Sequence, residues 1–304
     1  MFLGFSKVLV CGGVRTDTCE VINLSSSAST CKNPPNFPAN IFQAIGGLGF
    51  KGNPIICGGG QNGAYSNNCY LLGKNEWVSS ASMTSVRVRA AAAQLKDGKL
   101  FVTGGYDGLG SSLNSAEMLN EEGWESNIPS LPVTIAEHCM VTVNSTTVMA
   151  IGGYQNGYSG KTFYFTFGDE SWTEGPELKY KRGWHSCGKI RRNKDSQQMS
   201  IIVAGGWDGG SYLSSVEILG EGSNEWQTGP ELPFGIRLSQ IVEDQNGGVI
   251  LIGGDSSSIG TLDTLYQLPH VGQDAAWTKM EQKINTGKKR HTAFLVPDNI
   301  VECS

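Results

Sequence analysis

The chain has 304 residues, 41 of them glycine, close to twice the usual share of about 7 per cent, and only 17 per cent of its side chains are charged. With 39 per cent apolar residues it can build a large core, which excludes an intrinsically disordered chain. No apolar run reaches the roughly 18 residues of a membrane helix, and a formal charge of −5 gives no general attraction to phosphate, so membrane insertion and nucleic acid binding drop out.

From the N-terminus, Met1-Phe-Leu-Gly-Phe lacks a basic start, a long apolar stretch and a cleavage motif, so it does not read as a signal peptide, and the chain reads as a mature or trimmed domain. KVLVCGG then predicts a strand that ends on a glycine pair. The same signature returns as PIICGG, LFVTGG, VMAIGG, IIVAGG and ILIGG, with first glycines at Gly12, Gly58, Gly104, Gly152, Gly205 and Gly253. Their spacings of 46, 46, 48, 53 and 48 divide nearly the whole chain into six units. Trp77, Trp124, Trp172, Trp226 and Trp277 follow their glycines by 19, 20, 20, 21 and 24 residues; the first unit carries Cys31 at that place. Between the two markers lies a short apolar segment centred on Glu20, Tyr70, Glu117, Tyr164, Glu217 or Tyr266.

A further apolar segment precedes the glycines, as in RAAAAQL before KDGK and EHCMVTV before NST, and its turn carries residues that suit tight hairpins. Each unit therefore reads as four antiparallel strands, and the expected class is all-β, since no stretch shows sustained helical periodicity. One such sheet leaves both faces wet. Stacking six around an axis buries them, which predicts a six-bladed β-propeller. The N-terminus enters on a second strand, whereas RHTAFLV at the C-terminus is a first strand without a unit, so a C-terminal strand is expected to complete the first blade. The blade units are placed near 1–35 plus 290–304, 36–82, 83–131, 132–178, 179–232 and 233–289, as a single domain.

At this point the chain resembles the kelch-repeat family, most closely in GGYDGLGSSLNSAEMLNEEGW (104–124) and GGWDGGSYLSSVEILGEGSNEW (205–226). The first unit departs at Cys31, and the sixth at the Asp-Ser-Ser-Ser after its glycines. The resemblance implies a rigid interaction module that binds a protein or peptide, with a glycan as the alternative ligand. Kelch-like adaptors of ubiquitin ligases often use arginines on this rim to grip acidic peptides. Here only Arg89 and Arg290 match, with Glu137 opposing them, and the 304 residues contain no ligase-recruiting domain.

Cys11 and Cys57 precede a glycine pair, and Cys19 and Cys69 precede the centre of the next strand. Because both slots change together in two units and neighbouring strands bring them close, the pairs Cys11–Cys19 and Cys57–Cys69 are predicted, with buried thiols as the alternative. Cys31 and Cys303 can meet at the closing blade; Cys139 and Cys187 remain unassigned. Disulfides would place the protein in the secretory pathway or outside the cell, the alternative being the cytoplasm. The sequons Asn23-Leu-Ser and Asn144-Ser-Thr are compatible with a glycoprotein.

His138, His185 and His291 fall near the first strands, but Ala90 and Gln240 in the matching slots indicate a packing position, and neither a metal nor a cofactor is expected. No nucleophile elbow, phosphate loop or zinc-peptidase motif occurs, so no catalytic residues are assigned. Glu20, Glu117 and Glu217 read as solvated or backbone-bonding strand residues. The binding surface is expected on the loops after the glycine pairs (Val14, Asn62, Tyr106, Tyr154, Trp207, Asp255) and before the first strands (Arg89, Glu137, Trp184, Ser239, Arg290), because aromatics and arginines dominate interface energetics. The leading candidates are Asn62, Arg89, Tyr106, Tyr154, Trp184, Trp207 and Arg290. Two alternatives stand beside this reading: a cytosolic ligase adaptor or actin-binding protein, and a kelch-fold enzyme such as a copper oxidase or glycan-acting enzyme.

Overall fold

The computed structural model describes residues 4–25, 31–95 and 97–303. The start of the N-terminal segment and Lys96 of the KDGK turn lie outside the described residues. Among the described residues every regular element apart from a 3-10 turn at Phe50–Gly52 is a strand, and all pairings are antiparallel.

Five sheets have four strands each. In the second unit they are Ile45–Leu48, Pro54–Cys57, Cys69–Leu72 and Trp77–Ser80, in chain order across the sheet, and the third to sixth units repeat this meander. In the first unit Lys7–Cys11 lies between Cys19–Asn23 and the C-terminal strand Thr292–Val296, with Lys7 opposite Val296 and Cys11 opposite Thr292. The fourth strand is missing from that sheet among the described residues. At its outer edge Cys31 instead bridges to Cys303.

Why the glycines come in pairs is visible at every junction between units. The first glycine has φ between +55° and +72°, and a Cβ on it would lie 2.4–2.8 Å from a backbone carbonyl of the following unit: Ile41, Arg87, Ile135, Arg182, Ile236 or Lys288. The second glycine donates its N–H to that same carbonyl at 2.7–2.8 Å. An L side chain would be strained in this conformation and would also push the neighbouring unit away. The tryptophans join the units at the other edge. Each indole Nε1 donates to a backbone carbonyl of the preceding unit: Trp77 to Pro35, Trp124 to Ala81, Trp172 to Pro129, Trp226 to Pro176 and Trp277 to Pro230, at 2.8–3.0 Å.

The core is accordingly distributed between sheets rather than concentrated. Six apolar clusters lie between neighbouring sheets, as where Phe101, Ala116, Ile135, Val148 and Phe163 fill the gap between the third and fourth. The last of these gaps lies between the sixth sheet (Ile250, Ile252) and the first (Val8, Val10).

All eight cysteines are paired: Cys11–Cys19, Cys57–Cys69, Cys31–Cys303 and Cys139–Cys187. The first two join neighbouring strands within a sheet, and Cys139–Cys187 joins the inner strands of the fourth and fifth units. Cys31–Cys303 closes a loop with a sequence separation of 272. By the chain-entropy argument, replacing both of these cysteines with serine should lower stability by up to about 5 kcal/mol. Denaturant unfolding of the double variant measures this; an unchanged midpoint would show that the clasp carries no stability.

The structure decides or corrects three sequence expectations. Of the two roles expected for Glu117 and Glu217, solvated or backbone-bonding, the second holds: each is buried and held by an arginine and by two backbone N–H groups. Opposite the residue two before the glycine pair stand Glu20, Tyr70, Glu117, Phe163, Glu217 and Tyr266, so Phe163 and not Tyr164 fills that place in the fourth unit. A one-residue shift in a strand reverses the face a side chain takes, and loop length varies too much for spacing alone to fix it. Third, the residue matching His138, His185 and His291 in the sixth unit is Ser239, not Gln240, which is already in the strand Gln240–Glu243.

Candidate interaction site

One residue just before each first strand adopts a left-handed backbone: Gln43, Arg89, Glu137, Trp184, Leu238 and Arg290, all with φ between 54° and 61°. Their backbones bond one to the next. Arg89 N–H donates to Gln43, Glu137 to Arg89, Trp184 to Glu137, Leu238 to Trp184, Arg290 to Leu238, and Gln43 to Arg290, at 2.7–3.3 Å. The cycle of six hydrogen bonds returns to its starting residue. Non-glycine residues enter this conformation only where surroundings hold them there, and here the hydrogen-bonded collar does so while aiming six side chains at one cavity.

The following residues form a second tier of the cavity wall: Ala44, Ala90, His138, His185, Ser239 and His291. His138 Nε2 meets Thr103 Oγ1 at 2.9 Å and His185 Nε2 meets the Ile151 carbonyl at 3.1 Å. Burial holds all three imidazoles neutral, with pKa values lowered to about 3. Among the described residues no three His, Cys, Asp or Glu side chains gather as metal ligands.

Above the collar, cations cluster around one indole. The guanidinium groups of Arg89, Arg290 and Arg237 lie 4.9, 5.2 and 5.5 Å from the Trp184 ring centre. Arg237 also stacks on Trp207 at 4.9 Å and on Tyr212 at 4.4 Å, and Arg89 on Tyr106 at 5.4 Å. Two carboxylates oppose them. Glu137 pairs with Arg89 at 2.6 Å, and Asp255 with Lys289 at 2.7 Å and with Arg237 at 3.6 Å. Four cations against two anions leave the mouth electropositive on a protein whose net charge is −5. Consistently, burial and then the charges of Arg89 and Arg237 lower the Arg290 pKa. Burial raises the Glu137 carboxyl despite Arg89, and raises the phenol of Tyr158, which lies beside Glu137.

Of the residues expected from sequence, Arg89, Trp184 and Arg290 stand in the collar. Tyr106, Tyr154 and Trp207 sit directly above it, bridging to Val88, Ala136 and Gly183. Asn62 lies at an exposed turn, where its Oδ1 accepts the Asn40 N–H, and does not line the cavity. The triple glycine 58–60 explains the offset, because Gly60 takes the place that Tyr106 and Trp207 take in their units. Sequence reasoning missed Gln43, Leu238 and Arg237. The signal for Arg237 was its position immediately before the collar residue, but that register emerges only once Leu238, and not Ser239, is known to occupy the collar.

Sheets of antiparallel strands joined by glycine-pair and tryptophan contacts, with loops converging on a polar mouth, are the architecture of a β-propeller. The kelch-motif family model matches residues 87–125 and 200–233. The chain thus carries kelch motifs in two of its units. A solved structure titled "Structure of YjhT" shares its fold at a TM-score of 0.76 and 14% identity, covering 90% of this chain and 94% of that one. No curated protein matches the sequence.

Proposed function

We propose that the chain is a closed six-bladed kelch propeller, its blades bounded near 1–35 plus 290–304, 36–82, 83–131, 132–178, 179–232 and 233–289. In this reading it acts outside the cell or in the secretory pathway as a glycoprotein interaction module. The six-membered collar of hydrogen bonds and the pairing of Thr292–Val296 with Lys7–Cys11 support the closure. Four disulfides support the oxidising compartment. They weigh against the cytosolic adaptor reading, which needs free thiols.

The partner is a protein or peptide that presents a carboxylate to the mouth. The convergence of Arg89, Arg237 and Arg290 on Trp184 carries this reading. With Arg237 counted, the arginines outnumber Glu137, and the objection from two arginines alone falls away. Guanidinium forks suit a carboxylate, and flat aromatic faces beside them add area at small entropic cost.

The test is a selection from a random displayed-peptide library, with sequence read-out and affinity measurement of the winners. Enrichment of Asp- and Glu-bearing peptides is expected, with each of Arg237→Ala and Arg290→Ala weakening them about 10- to 100-fold, as expected for charged hydrogen bonds. Peptides without acidic residues, or affinities indifferent to both substitutions, would refute the reading. A pH dependence follows as well. As pH falls through the raised range of Glu137, that carboxylate is neutralised while a ligand acid of ordinary pKa stays ionised, so affinity should rise on mild acidification. In Glu137→Gln this rise should vanish in a titration of the same peptides.

A further inference from the structure

The 304 residues contain two Asn-X-Ser/Thr sequons, Asn23-Leu-Ser and Asn144-Ser-Thr. In the first sheet, Cys11 pairs with Cys19 beside the glycine joint, and Asn23 pairs with Lys7 at the far end. In the fourth, Cys139 pairs with Ile151 beside Gly152, Thr142 pairs with Val148 at the far end, and Asn144 lies in the turn beyond. The glycine joints and the collar share one end of the sheets, so both sequons occupy the end opposite the mouth.

Local geometry suits modification. Asn144, Ser145 and Thr146 are all exposed at the hairpin tip. Asn144 Oδ1 accepts bonds from Thr146 N–H at 2.9 Å and from its hydroxyl at 3.2 Å. Asn23 Oδ1 accepts the same two bonds from Ser25, at 3.0 and 2.7 Å. In each, the hydroxyl two residues on engages the amide oxygen, and amide planarity directs the Asn144 Nδ2 away from the turn. Leu24 and Val143, beside the two asparagines, pack into clusters shared with neighbouring units, whereas Asn144–Thr146 stand exposed at the hairpin tip, where a bulky group meets solvent.

We propose that Asn144 and Asn23 carry N-linked glycans, that the glycosylated end is the one opposite the mouth, and that the mouth is thereby left as the unshielded recognition face. The donor is a lipid pyrophosphate-linked oligosaccharide. Nδ2 bonds to the sugar C1, the C1–O bond to pyrophosphate breaks, the lipid pyrophosphate departs, and the amide proton passes to a base of the transferase. The proposal rests on the secretory reading above.

The test secretes the full chain from a eukaryotic host, releases N-glycans enzymatically in heavy-oxygen water and maps the labelled aspartates by peptide mass spectrometry, with disulfides mapped on the same sample. Label at Asn144 and Asn23 is expected, each of Asn144→Gln and Asn23→Gln removing one mobility step on a gel. Affinity for the acidic peptides should stay within about twofold of the deglycosylated protein. Formed disulfides with unlabelled asparagines overturn this proposal and leave the secretory reading standing, whereas free thiols overturn both. Glycans that weaken peptide binding tenfold would overturn the placement of the sugars away from the mouth.

Discussion

Replacing Glu117 by Leu should destabilise the protein by about 3–5 kcal/mol, the usual consequence of stranding one partner of a buried ion pair. Arg87 is fully enclosed. Its guanidinium donates to Glu117, to the Gly104 and Ser115 carbonyls and to the Ser115 hydroxyl, while Glu117 also accepts the Thr84 and Ser85 N–H groups. The fifth unit repeats the arrangement with Arg182, Gly205, Ser215 and Glu217. In the first, Lys288 Nζ reaches the Gly12 and Thr18 carbonyls, and Glu20 accepts the Asn285 N–H. The intervening units place Ile41, Ile135 and Ile236 where the cations stand, and Tyr70, Phe163 and Tyr266 where the carboxylates stand. Polar and apolar locks thus alternate from unit to unit, and both solutions hold the same joint. The double variant Arg87→Ile with Glu117→Phe should therefore be less destabilised than Glu117→Leu alone. Denaturant midpoints decide it, and a double variant worse than the single one would contradict the equivalence of the two locks.

The second large effect concerns acid. His138, His185 and His291 are buried and neutral in the folded protein, with pKa values near 3 against 6.5 for free imidazole. Between those limits the unfolded chain binds protons that the native chain refuses, so stability is present above pH 6.5 and is lost as pH falls towards 3. Three protons give a slope of up to about 4 kcal/mol per pH unit. Glu20 and Glu243 offset part of it, because burial raises their carboxyls and the native state takes up those protons first. Melting temperature should fall steeply from pH 6.5 downwards. His185→Ala, which copies the residue found at Ala44 and Ala90, should reduce the slope by up to one proton. An identical pH profile for that variant would show that His185 is not the proton acceptor.

Much of the architecture is written locally. A residue that must take positive φ against a neighbouring carbonyl has to be glycine, so the six pairs announce the repeat and its period. Tryptophan at a fixed distance marks the fourth strand for a similar reason, since its indole must reach back to the preceding unit. The pairs Cys11–Cys19 and Cys57–Cys69 were readable because their strands are adjacent and the slots change together. Cys139–Cys187 was not, because it crosses between units, where the relative height of two inner strands depends on packing rather than on chain spacing.

The mouth divides along the same line. Arg89, Trp184 and Arg290 could be named from their positions before a first strand, whereas Arg237 and Gln43 could not, and Asn62 and Ser239 were placed one or two residues away from the register that folding selects. By itself the sequence determined the class, the repeat and its joints, because each follows from backbone conformation or strand adjacency within a unit. Only the tertiary structure decided which six residues form the collar, that three arginines share one indole, and that both sequons lie at the opposite end, because each of these depends on how separate units meet in space.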